Sequence, residues 1–338
     1  MKALVLEQTK TLSIRDIDIE ERLGPNDLRV RPSHVGVCGS DVHYYLHGRI
    51  GDFVVREPMV LGHETSGVVT ELGSEVIGFQ VGDRVCMEPG VPSYASAEYR
   101  LGTYNLDPAV RFWATPPVHG CMRETVVHPA QFTYRLPENV SLEEGALVEP
   151  VAIGVHAAKK ASIQPGDEAL VLGCGTIGVV TALAAAASGC SNVYITDIDA
   201  AKLRLVESKY GSQVTPLPQD QLAKLRDRMD VVFEASGAES AIVNIADHAR
   251  PGGRIVLIGM PNDRVSVDIV AIEVKELTLS SVFRYAHAFP RTLQFIASQK
   301  IDVRSLVTHS FSFADSIKAY ELAGSLPADA IKIMINMD

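Results

Sequence analysis

Residues 168–197 impose the strongest constraint on how this chain folds. An apolar run, Glu168–Leu172, leads into the glycine-rich turn GCGTIG and then an alanine-rich helical stretch, Thr176–Ser188. A second apolar run, Asn192–Thr196, ends at Asp197. A lone Gly-x-Gly-x-x-Gly turn is weak evidence, but a strand before it and a helix after it provide the context that dinucleotide binding requires. The segment therefore predicts a β-α-β unit with a phosphate-binding turn.

The three glycines of this turn have separate tasks. Gly173 permits the tight turn, Gly175 lets the backbone approach a pyrophosphate, and Gly178 lets the helix pack closely on the strand. The first amide groups of the helix then offer hydrogen bonds and a partial positive charge to the phosphates. The turn thus predicts where the pyrophosphate lies.

Asp197 stands where an acidic side chain accepts hydrogen bonds from the adenine ribose. A 2′-phosphate would be repelled by Asp197 and Asp199, and Lys202 is the only cation near them in the sequence. The pattern therefore favours NAD over NADP. The alternative is that no dinucleotide binds, and that these residues form an ordinary glycine turn next to an acidic strand end exposed to solvent.

Alternating strands and helices continue to residue 286, which predicts a doubly wound parallel sheet. The expected further elements are helices at Ala200–Tyr210 and Glu239–Ala249 and strands at Asp230–Glu234, Arg254–Ile258 and Leu277–Val282. Residues 1–150 are β-rich instead, with short apolar runs such as Lys2–Leu6, Leu28–Val37, Ser66–Leu72 and Arg84–Cys86 between Gly- and Pro-bearing turns. Residues 287–338 resemble that first part again, after a helix near Phe289–Gln299. We predict an α/β protein with one domain at 1–150, completed by 287–338, and a cofactor domain at 151–286.

Composition narrows the class of function. The 338 residues are enough for two domains, and 31 Lys+Arg against 41 Asp+Glu gives a net charge of −10, which disfavours nucleic-acid and anionic-membrane partners. The five scattered cysteines form no C-x-x-C pair, which argues against a disulfide framework. The N-terminus has no signal-peptide pattern, and no apolar stretch is long enough to span a bilayer. We expect a soluble, cytoplasmic protein.

Three segments of the first domain are rich in metal-ligand side chains: Cys38–His43, Gly62-His63-Glu64, and Glu149-Pro150. Taken alone, each segment is weak evidence for a metal site. A lone cysteine at a strand end is more often a small apolar core residue, and His63 beside Glu64 is more often a polar surface pair. No spacing rule connects the segments, so the residues alone leave their convergence open.

Several motifs together carry a resemblance. VGVCGSDVHYY, LGHETSGVV, VGDRVCMEPG, EGALVEPVAIGVHA and GCGTIG follow the order and spacing of the zinc-dependent medium-chain dehydrogenase/reductase superfamily. They look most like its polyol branch, and YNLDPAVRFWATPP followed by Gly120-Cys121 is similar to bacterial xylitol dehydrogenases. The resemblance covers the chain from its first strand to its C-terminus. It implies a GroES-like catalytic domain, a Rossmann domain, and a homotetramer assembled through edge strands of the cofactor domain.

The resemblance implies a catalytic zinc bound by Cys38, His63 and Glu64. Glu149 would either bond a zinc-bound water or take a ligand position itself. A catalytic zinc keeps three protein ligands and one open position. One thiolate with carboxylate ligands makes a harder site than two thiolates, which suits a polyol, and zinc lowers the pKa of a bound hydroxyl.

The resemblance also implies a proton path and a substrate site. Ser40 would accept the proton of the substrate hydroxyl and His43 would pass it to the surface; alternatively, Glu149 and water carry the proton and His43 is only a solvated side chain. Substrate hydroxyls would meet Tyr44, Glu149, Arg284 and Tyr285. Cofactor contacts would come from Gly173, Gly175, Ile177, Gly178, Asp197, Lys202, Ile258, Gly259, Met260, Val282, Phe283 and Arg284.

Residues 88–117 depart from the pattern of many relatives. Those relatives hold a structural zinc with spacing C-x₂-C-x₂-C-x₇-C, but the corresponding residues here are Ser93, Ser96, Tyr99 and Asp107. Hydroxyls and a phenol do not hold zinc tightly in a tetrahedral site. We therefore expect one zinc per chain, and a long irregular loop held by the packing of Tyr104, Phe112 and Trp113.

The predicted activity is NAD-dependent oxidation of a polyol to a ketose. Xylitol to D-xylulose is the first choice and sorbitol to fructose the second. Two alternatives remain: oxidation of simple secondary alcohols or other sugar derivatives, and a dinucleotide-binding protein with a structural role and no turnover.

Overall fold

The computed structural model describes residues 1–261 and 263–338. They divide into two compact units, Met1–Glu149 with Asp302–Asp338, and Pro150–Ile301. Residues 287–301, which the sequence division assigns to the first domain, lie in the second unit. The physical reason is burial, since Phe289 is fully buried there and its ring lies 5.5 Å from that of Tyr285.

The secondary structure is as follows. The strands are β1 (Lys2–Gln8), β2 (Thr11–Asp16), β3 (Asp27–Gly36), β4 (Arg49–Ile50), β5 (Phe53–Val54), β6 (Met59–Val60), β7 (Glu64–Leu72), β8 (Arg84–Met87), β9 (Gly90–Val91), β10 (Arg111–Phe112), β11 (Val126–Pro129), β12 (Thr133–Arg135), β13 (Glu168–Leu172), β14 (Asn192–Thr196), β15 (Thr215–Pro216), β16 (Met229–Glu234), β17 (Ala249–Leu257), β18 (Thr278–Ser281), β19 (Val307–Ser312) and β20 (Lys332–Asn336). The α-helices are α1 (Gly39–His47), α2 (Ala97–Arg100), α3 (Leu142–Ala146), α4 (Val148–Lys160), α5 (Thr176–Ser188), α6 (Ala200–Tyr210), α7 (Glu239–Val243), α8 (Ile269–Val274), α9 (Phe289–Ala297) and α10 (Ser316–Gly324). No helix within the described residues is long and apolar enough to cross a membrane.

The first unit is built on a mixed sheet of order β12-β8-β7-β3-β20-β19, with β11 also paired to β3. Strand β3 alternates buried and accessible residues, with Leu28 and Val30 fully buried in the core, as expected for a strand with one face on the core. Its neighbours β7 and β20 pair with it antiparallel. These pairings bring the start of β7, the end of β3 and the start of β20 to one end of the sheet.

Residues 88–117 contain more regular structure than the sequence predicts. Strands β9 and β10 pair with each other, opposing Phe112 to Gly90, and a short 3₁₀ turn covers Tyr104–Leu106. The prediction of an irregular excursion was wrong for these residues. The elements are too short to show a period, since β9 and β10 have two residues each.

The second unit contains a sheet of order β15-β14-β13-β16-β17-β18 in which every neighbouring pair is parallel. This is the strand order of a doubly wound dinucleotide-binding fold. Strand β13 is buried almost throughout, as expected for a central parallel strand covered on both faces. The bounds of β13, α5, β14 and α6 agree with the sequence prediction.

The expected helix at Glu239–Ala249 is shorter in the structure. α7 ends at Val243, a 3₁₀ turn follows at Ile245–Asp247, and Ala249 already belongs to β17. The helix ends early because Ala249 is paired with Met229 of β16. Such a pairing between distant residues cannot be read from local periodicity.

Candidate functional site

The first candidate site begins where β3 leads into α1. Strand β3 ends at Gly36, and Cys38 is the N-cap residue of α1 in an extended conformation. The hydroxyl of Ser40 donates a hydrogen bond to Cys38 Sγ over 3.3 Å. A donor aimed at the sulfur favours the thiolate, which is the form that binds metals.

His63 and Glu64 lie beside this cysteine because β7 starts at Glu64 and pairs with β3. Glu64 is opposite Gly36, and a Cβ at Gly36 would come within 2.0 Å of Glu64 Oε2. Position 36 therefore needs glycine for the carboxylate to fit. Candidate ligand atoms of Cys38, His63 and Glu64 all lie within 4.8 Å of one another. The structure thus brings together the three side chains whose convergence the sequence left open.

The surroundings of His63 orient its ring. Its Nδ1 lies 3.4 Å from Oδ1 of the fully buried Asp41. Burial disfavours a charge on His63, but Asp41 and Cys38 outweigh it and raise the pKa of the imidazole. The ring of Phe112 lies 5.5 Å from the His63 ring. Asp41 is a candidate site residue that the sequence reasoning missed, although it lies within the same motif as Cys38.

Lys332, the first residue of β20, was also missed. Its Nζ donates to both oxygens of Glu64 over 2.8 Å and to the carbonyl of Val37 over 3.0 Å. Burial works against the ammonium, but Glu64 and Cys38 more than compensate and raise the pKa of Lys332. A single lysine at the head of the apolar segment KIMIN was the available signal, since a lysine is almost never fully buried unless it is paired.

The donor set fits a zinc ion. A thiolate sulfur, an imidazole nitrogen and a carboxylate oxygen are the ligands that zinc takes in proteins. Within the described part of the chain, Asp41 Oδ1 and His63 Nδ1 are buried without a hydrogen-bond partner at the distances found. A carboxylate facing one ring nitrogen of a histidine is the usual arrangement when the other nitrogen binds a metal.

Glu149 lies in the first turn of α4 and is 5% exposed. It is outside the group of three side chains within 4.8 Å of one another. Its charge nevertheless contributes to raising the pKa values of Lys332 and Glu88. The choice between a direct ligand and a partner of bound water stays a prediction.

Helix α1 carries the other predicted residues of the first unit. Tyr44 is buried and His43 is exposed. Partial desolvation of the ring, followed by the nearby His47, lowers the pKa of His43. His43 is therefore a neutral base near pH 7, as a proton acceptor must be.

The glycine turn of the second unit has the expected geometry. Gly173 has φ +111, which L side chains rarely adopt. A Cβ on Gly178 would lie 1.8 Å from the carbonyl oxygen of Gly173, so only glycine fits there. Gly175 is the N-cap of α5, and Ile177 is half-buried in its first turn. The start of α5 is thus the place where backbone amide groups of a helix N-terminus would meet a phosphate.

Asp197 is held rigidly at the end of β14. Its Oδ2 accepts from the amide of Cys174 over 2.7 Å and its Oδ1 from the amide of Asp199 over 2.9 Å. A cavity of about 570 Å³ extends from Gly173 and Asp197 between the 3₁₀ turn at Gln219–Leu225 and α7. Lys202 lies in the first turn of α6. This concave site beside the glycine turn suits the adenosine part of a dinucleotide.

The ends of β16 and β17 form the neighbouring edge. Ile258 and Gly259 both donate their amides to the carbonyl of Glu234, and Met260 is exposed. A Cβ on Gly259 would meet the amide nitrogen of Gly237 at 2.2 Å. The buried carboxylate of Glu234, a residue missed from the sequence, accepts from the amides of Ser236 and Gly237 and so shapes the loop after β16.

The segment after β18 contains the remaining predicted contacts. The amide of Val282 donates to the Leu257 carbonyl. Arg284 has φ +57, and its guanidinium lies 4.8 Å from the centre of the Phe283 ring. Tyr285 is almost fully buried within its unit. Their roles toward substrate and nicotinamide stay predictions.

Comparison with known proteins adds independent information. The alcohol dehydrogenase GroES-like domain model matches residues 24–138, and the zinc-binding dehydrogenase model matches residues 176–298. The chain is 51% identical to the D-xylulose reductase of Morganella morganii, and the match covers 99% of both chains. It is 39% identical to the sorbitol dehydrogenase of Bos taurus, and that match covers 99% of this chain and 96% of the relative. An Escherichia coli oxidoreductase/dehydrogenase of unknown specificity has the same fold, with a TM-score of 0.93 and 32% identity over 100% of this chain and 99% of that chain. The chain belongs to the zinc-dependent polyol dehydrogenases of the medium-chain dehydrogenase/reductase superfamily.

The positions that carry the structural-zinc motif in other members have different partners in this chain. The Asp107 carboxylate accepts from the amides of Ser93, over 2.7 Å, and Ala109, over 2.8 Å. Ser96 caps α2 by accepting from the Tyr99 amide. Hydrogen bonds of an aspartate thus organise this turn.

The expected packing of the same segment is found together with a buried polar cluster. Tyr104, Phe112 and Trp113 are all buried. The hydroxyl of Tyr104 also donates to Glu88 over 2.7 Å, and that of Tyr134 donates to the same carboxylate over 3.0 Å. A carboxylate therefore ties the segment to β12.

Proposed function

We propose that this chain oxidises a secondary hydroxyl of a polyol to a ketose and transfers the hydride to NAD, with xylitol to D-xylulose as the main reaction. Sorbitol is the second candidate substrate. The observation that carries the proposal is the convergence of Cys38, His63 and Glu64, in a chain whose second unit has a dinucleotide-binding turn. The 51% identity to a D-xylulose reductase supports xylitol over sorbitol.

Cys38, His63 and Glu64 would hold one zinc ion. Zinc at this site supplies a Lewis acid that favours loss of the hydroxyl proton, and the nicotinamide supplies the hydride acceptor. Asp41 would fix the tautomer and direction of the His63 ring in the zinc-bound site, since its carboxylate lies 3.4 Å from Nδ1. Lys332 holds the Glu64 carboxylate in one orientation.

Ser40 and His43 would move the proton. In the structure the Ser40 hydroxyl donates to Cys38 Sγ; in the relay, Ser40 would accept the substrate proton while its own O–H turns from the sulfur and releases its proton toward His43. The neutral imidazole of His43 would then receive the proton at the surface. The alternative path runs through the carboxylate of Glu149 and water.

Tyr44, Glu149, Arg284 and Tyr285 would orient the polyol. A substrate with several hydroxyls needs both donors and acceptors, and this set supplies both. Buried polar groups that match each hydroxyl discriminate strongly against analogues that lack one. On this ground we favour sugar alcohols over simple secondary alcohols.

NAD is proposed over NADP because of Asp197. Two backbone amides donate hydrogen bonds to its two carboxylate oxygens at the strand end. Turning the side chain away from a 2′-phosphate would break these hydrogen bonds, so the charge stays where it repels the phosphate. The variant Asp197→Asn removes the charge and retains an acceptor oxygen. We expect its ratio of kcat/KM for NADP to that for NAD to rise at least tenfold; an unchanged ratio would remove Asp197 from cofactor selection.

Three further features belong to this proposal. One zinc per chain is supported by the hydrogen-bonded role of Asp107. A cytoplasmic location is supported by the five free cysteines.

A homotetramer is supported by β18, which is an edge strand with exposed Leu279, and by the exposed apolar face of α8. Leu279→Lys should lower the mass measured by light scattering.

The main test is a steady-state comparison of xylitol, sorbitol, L-arabitol and a simple secondary alcohol, each with NAD and NADP, together with metal analysis. We expect the highest kcat/KM for xylitol with NAD and one zinc per chain. Fully active protein without zinc would overturn the mechanism.

Glu149→Gln should lower kcat about 100-fold if this carboxylate carries the proton, and undiminished turnover would remove it from the reaction.

A further inference from the structure

Two exposed histidines stand on one face of α1. His43 and His47 are four residues apart, and their ring centres are separated by 5.6 Å with an angle of 49° between the planes. No hydrogen bond or ion pair within the described residues occupies either ring. Neither histidine belongs to the group of candidate zinc ligands, Cys38, His63 and Glu64.

The spacing of the pair suits chelation. Residues at positions i and i+4 of a helix are neighbours, and two histidines so placed form the metal-binding half of the helical H-E-x-x-H motif. A tetrahedral ion with bonds of about 2.0–2.1 Å needs its nitrogens about 3 Å apart. Ring centres 5.6 Å apart allow that separation once rotation of the side chains turns one nitrogen of each ring toward a shared ion.

The electrostatic setting also favours a cation. His47 is in the last turn of α1, which ends at Gly48 in the left-handed conformation. The carbonyl groups at a helix C-terminus carry a partial negative charge. The lowered pKa of His43 keeps its ring neutral near pH 7, and a neutral imidazole is the form that binds metals. Imidazole ligands prefer Zn²⁺, Ni²⁺ and Cu²⁺ to Mg²⁺ or Ca²⁺.

We propose that His43 and His47 form a second, surface metal site that takes Zn²⁺, Ni²⁺ or Cu²⁺ from solution, and that its occupation inhibits the enzyme. Binding rests on the geometry of α1 alone. Inhibition rests on the proposed function, because a metal on the His43 nitrogen prevents that nitrogen from receiving the proton. The site would make turnover sensitive to an excess of the same class of metal that the catalytic cluster needs.

The test uses untagged, zinc-loaded enzyme and Ni²⁺ as the probe. Ni²⁺ binding is measured by calorimetry and inhibition by xylitol oxidation, with zinc content checked after each titration to exclude exchange at Cys38. We expect His47→Ala to keep the wild-type kcat, to bind Ni²⁺ at least tenfold more weakly and to lose the inhibition. His309→Ala, which removes a histidine outside the pair, should behave as wild type.

The outcomes separate the parts of the argument. Equal Ni²⁺ affinity in wild type and His47→Ala would overturn the site, and binding without inhibition in the wild type would overturn the inhibitory role. A His43→Ala variant with undiminished turnover would remove His43 from the proposed proton path. Loss of Ni²⁺ binding in that variant would still support the surface site.

Discussion

Lys332 shows how much a single buried residue contributes to the candidate zinc site. Its ammonium bonds both oxygens of Glu64, and both side chains are almost completely buried. Removing one partner of such a pair leaves an uncompensated buried charge, which is far more costly than losing a surface pair. Lys332 therefore links the stability of the first unit to the orientation of a candidate ligand.

The first prediction concerns Lys332→Met. In zinc-free protein we expect a loss of about 3–5 kcal/mol in the free energy of unfolding, because Glu64 would be buried without a counter-ion. Zinc should restore part of this loss, since the cation supplies the missing charge. Denaturant unfolding with chelator and with zinc measures both effects.

Lys318→Met is the matched control. It breaks the exposed pair with Asp315 and should change the stability little, since surface pairs are screened by water. Equal losses in the two variants would contradict the special role given to Lys332.

Glu88 supports a prediction about pH. Burial raises the pKa of Glu88 from 4.5 to about 7, although the hydrogen bonds from Tyr104 and Tyr134 act to lower this pKa. The folded chain thus retains a proton on Glu88 that the unfolded chain has already released above pH 4.5. Between these two pH values Glu88 contributes stability that is lost as the pH rises.

Replacement by a neutral side chain tests this contribution. Glu88→Gln should become more stable relative to wild type as the pH rises from 5 to 8, by at most about 3 kcal/mol. Urea unfolding of both proteins at several pH values, at constant zinc, measures the difference. A difference that does not change with pH would contradict the raised pKa.

At the scale of elements, the segment 88–117 is held by two carboxylates at separate points. Asp107 gathers the backbone near Ser93, and Glu88 joins Tyr104 to Tyr134 of β12. The same segment contains β10, which places Phe112 beside His63. Order in this segment is therefore coupled to the shape of the candidate active site.

Asp107→Asn tests that coupling. The amide keeps one acceptor oxygen and loses the charge, so the turn should open locally. We expect cleavage within residues 88–117 by a nonspecific protease to become several-fold faster, while the midpoint of global unfolding changes little. Glu98→Gln, a change of the same type on α2, should leave the cleavage rate unaltered. Equal rates in all three proteins would show that Asp107 does not hold the segment.

At the scale of the whole molecule, zinc should stabilise one unit and not the other. All the candidate ligands lie in the unit formed by Met1–Glu149 and Asp302–Asp338. A ligand that binds only the folded state at 1,000 times its Kd adds about 4 kcal/mol. Zinc binding thus acts on a unit that contains both ends of the chain.

Calorimetric unfolding with zinc and with chelator measures this effect. We expect chelation to lower the transition of the first unit by several degrees and to leave that of the second unit in place. Cys38→Ser should abolish the zinc effect. Cys190→Ser, which changes a free thiol of the second unit, should preserve it. A zinc effect that survives in Cys38→Ser would remove Cys38 from the ligand set.

The sequence by itself determined the local features, because these depend on neighbouring residues. The bounds of β13, α5, β14 and α6 follow from apolar periodicity and glycine positions, and the motif order identifies the family. The tertiary structure decided what depends on distant residues: Gly36 paired with Glu64 places the candidate ligands together, Lys332 reaches Glu64 from the far end of the chain, and Ala249 joins a strand instead of a helix. Strand pairing and buried charge join residues across hundreds of positions, and no local pattern records which partner each residue will meet.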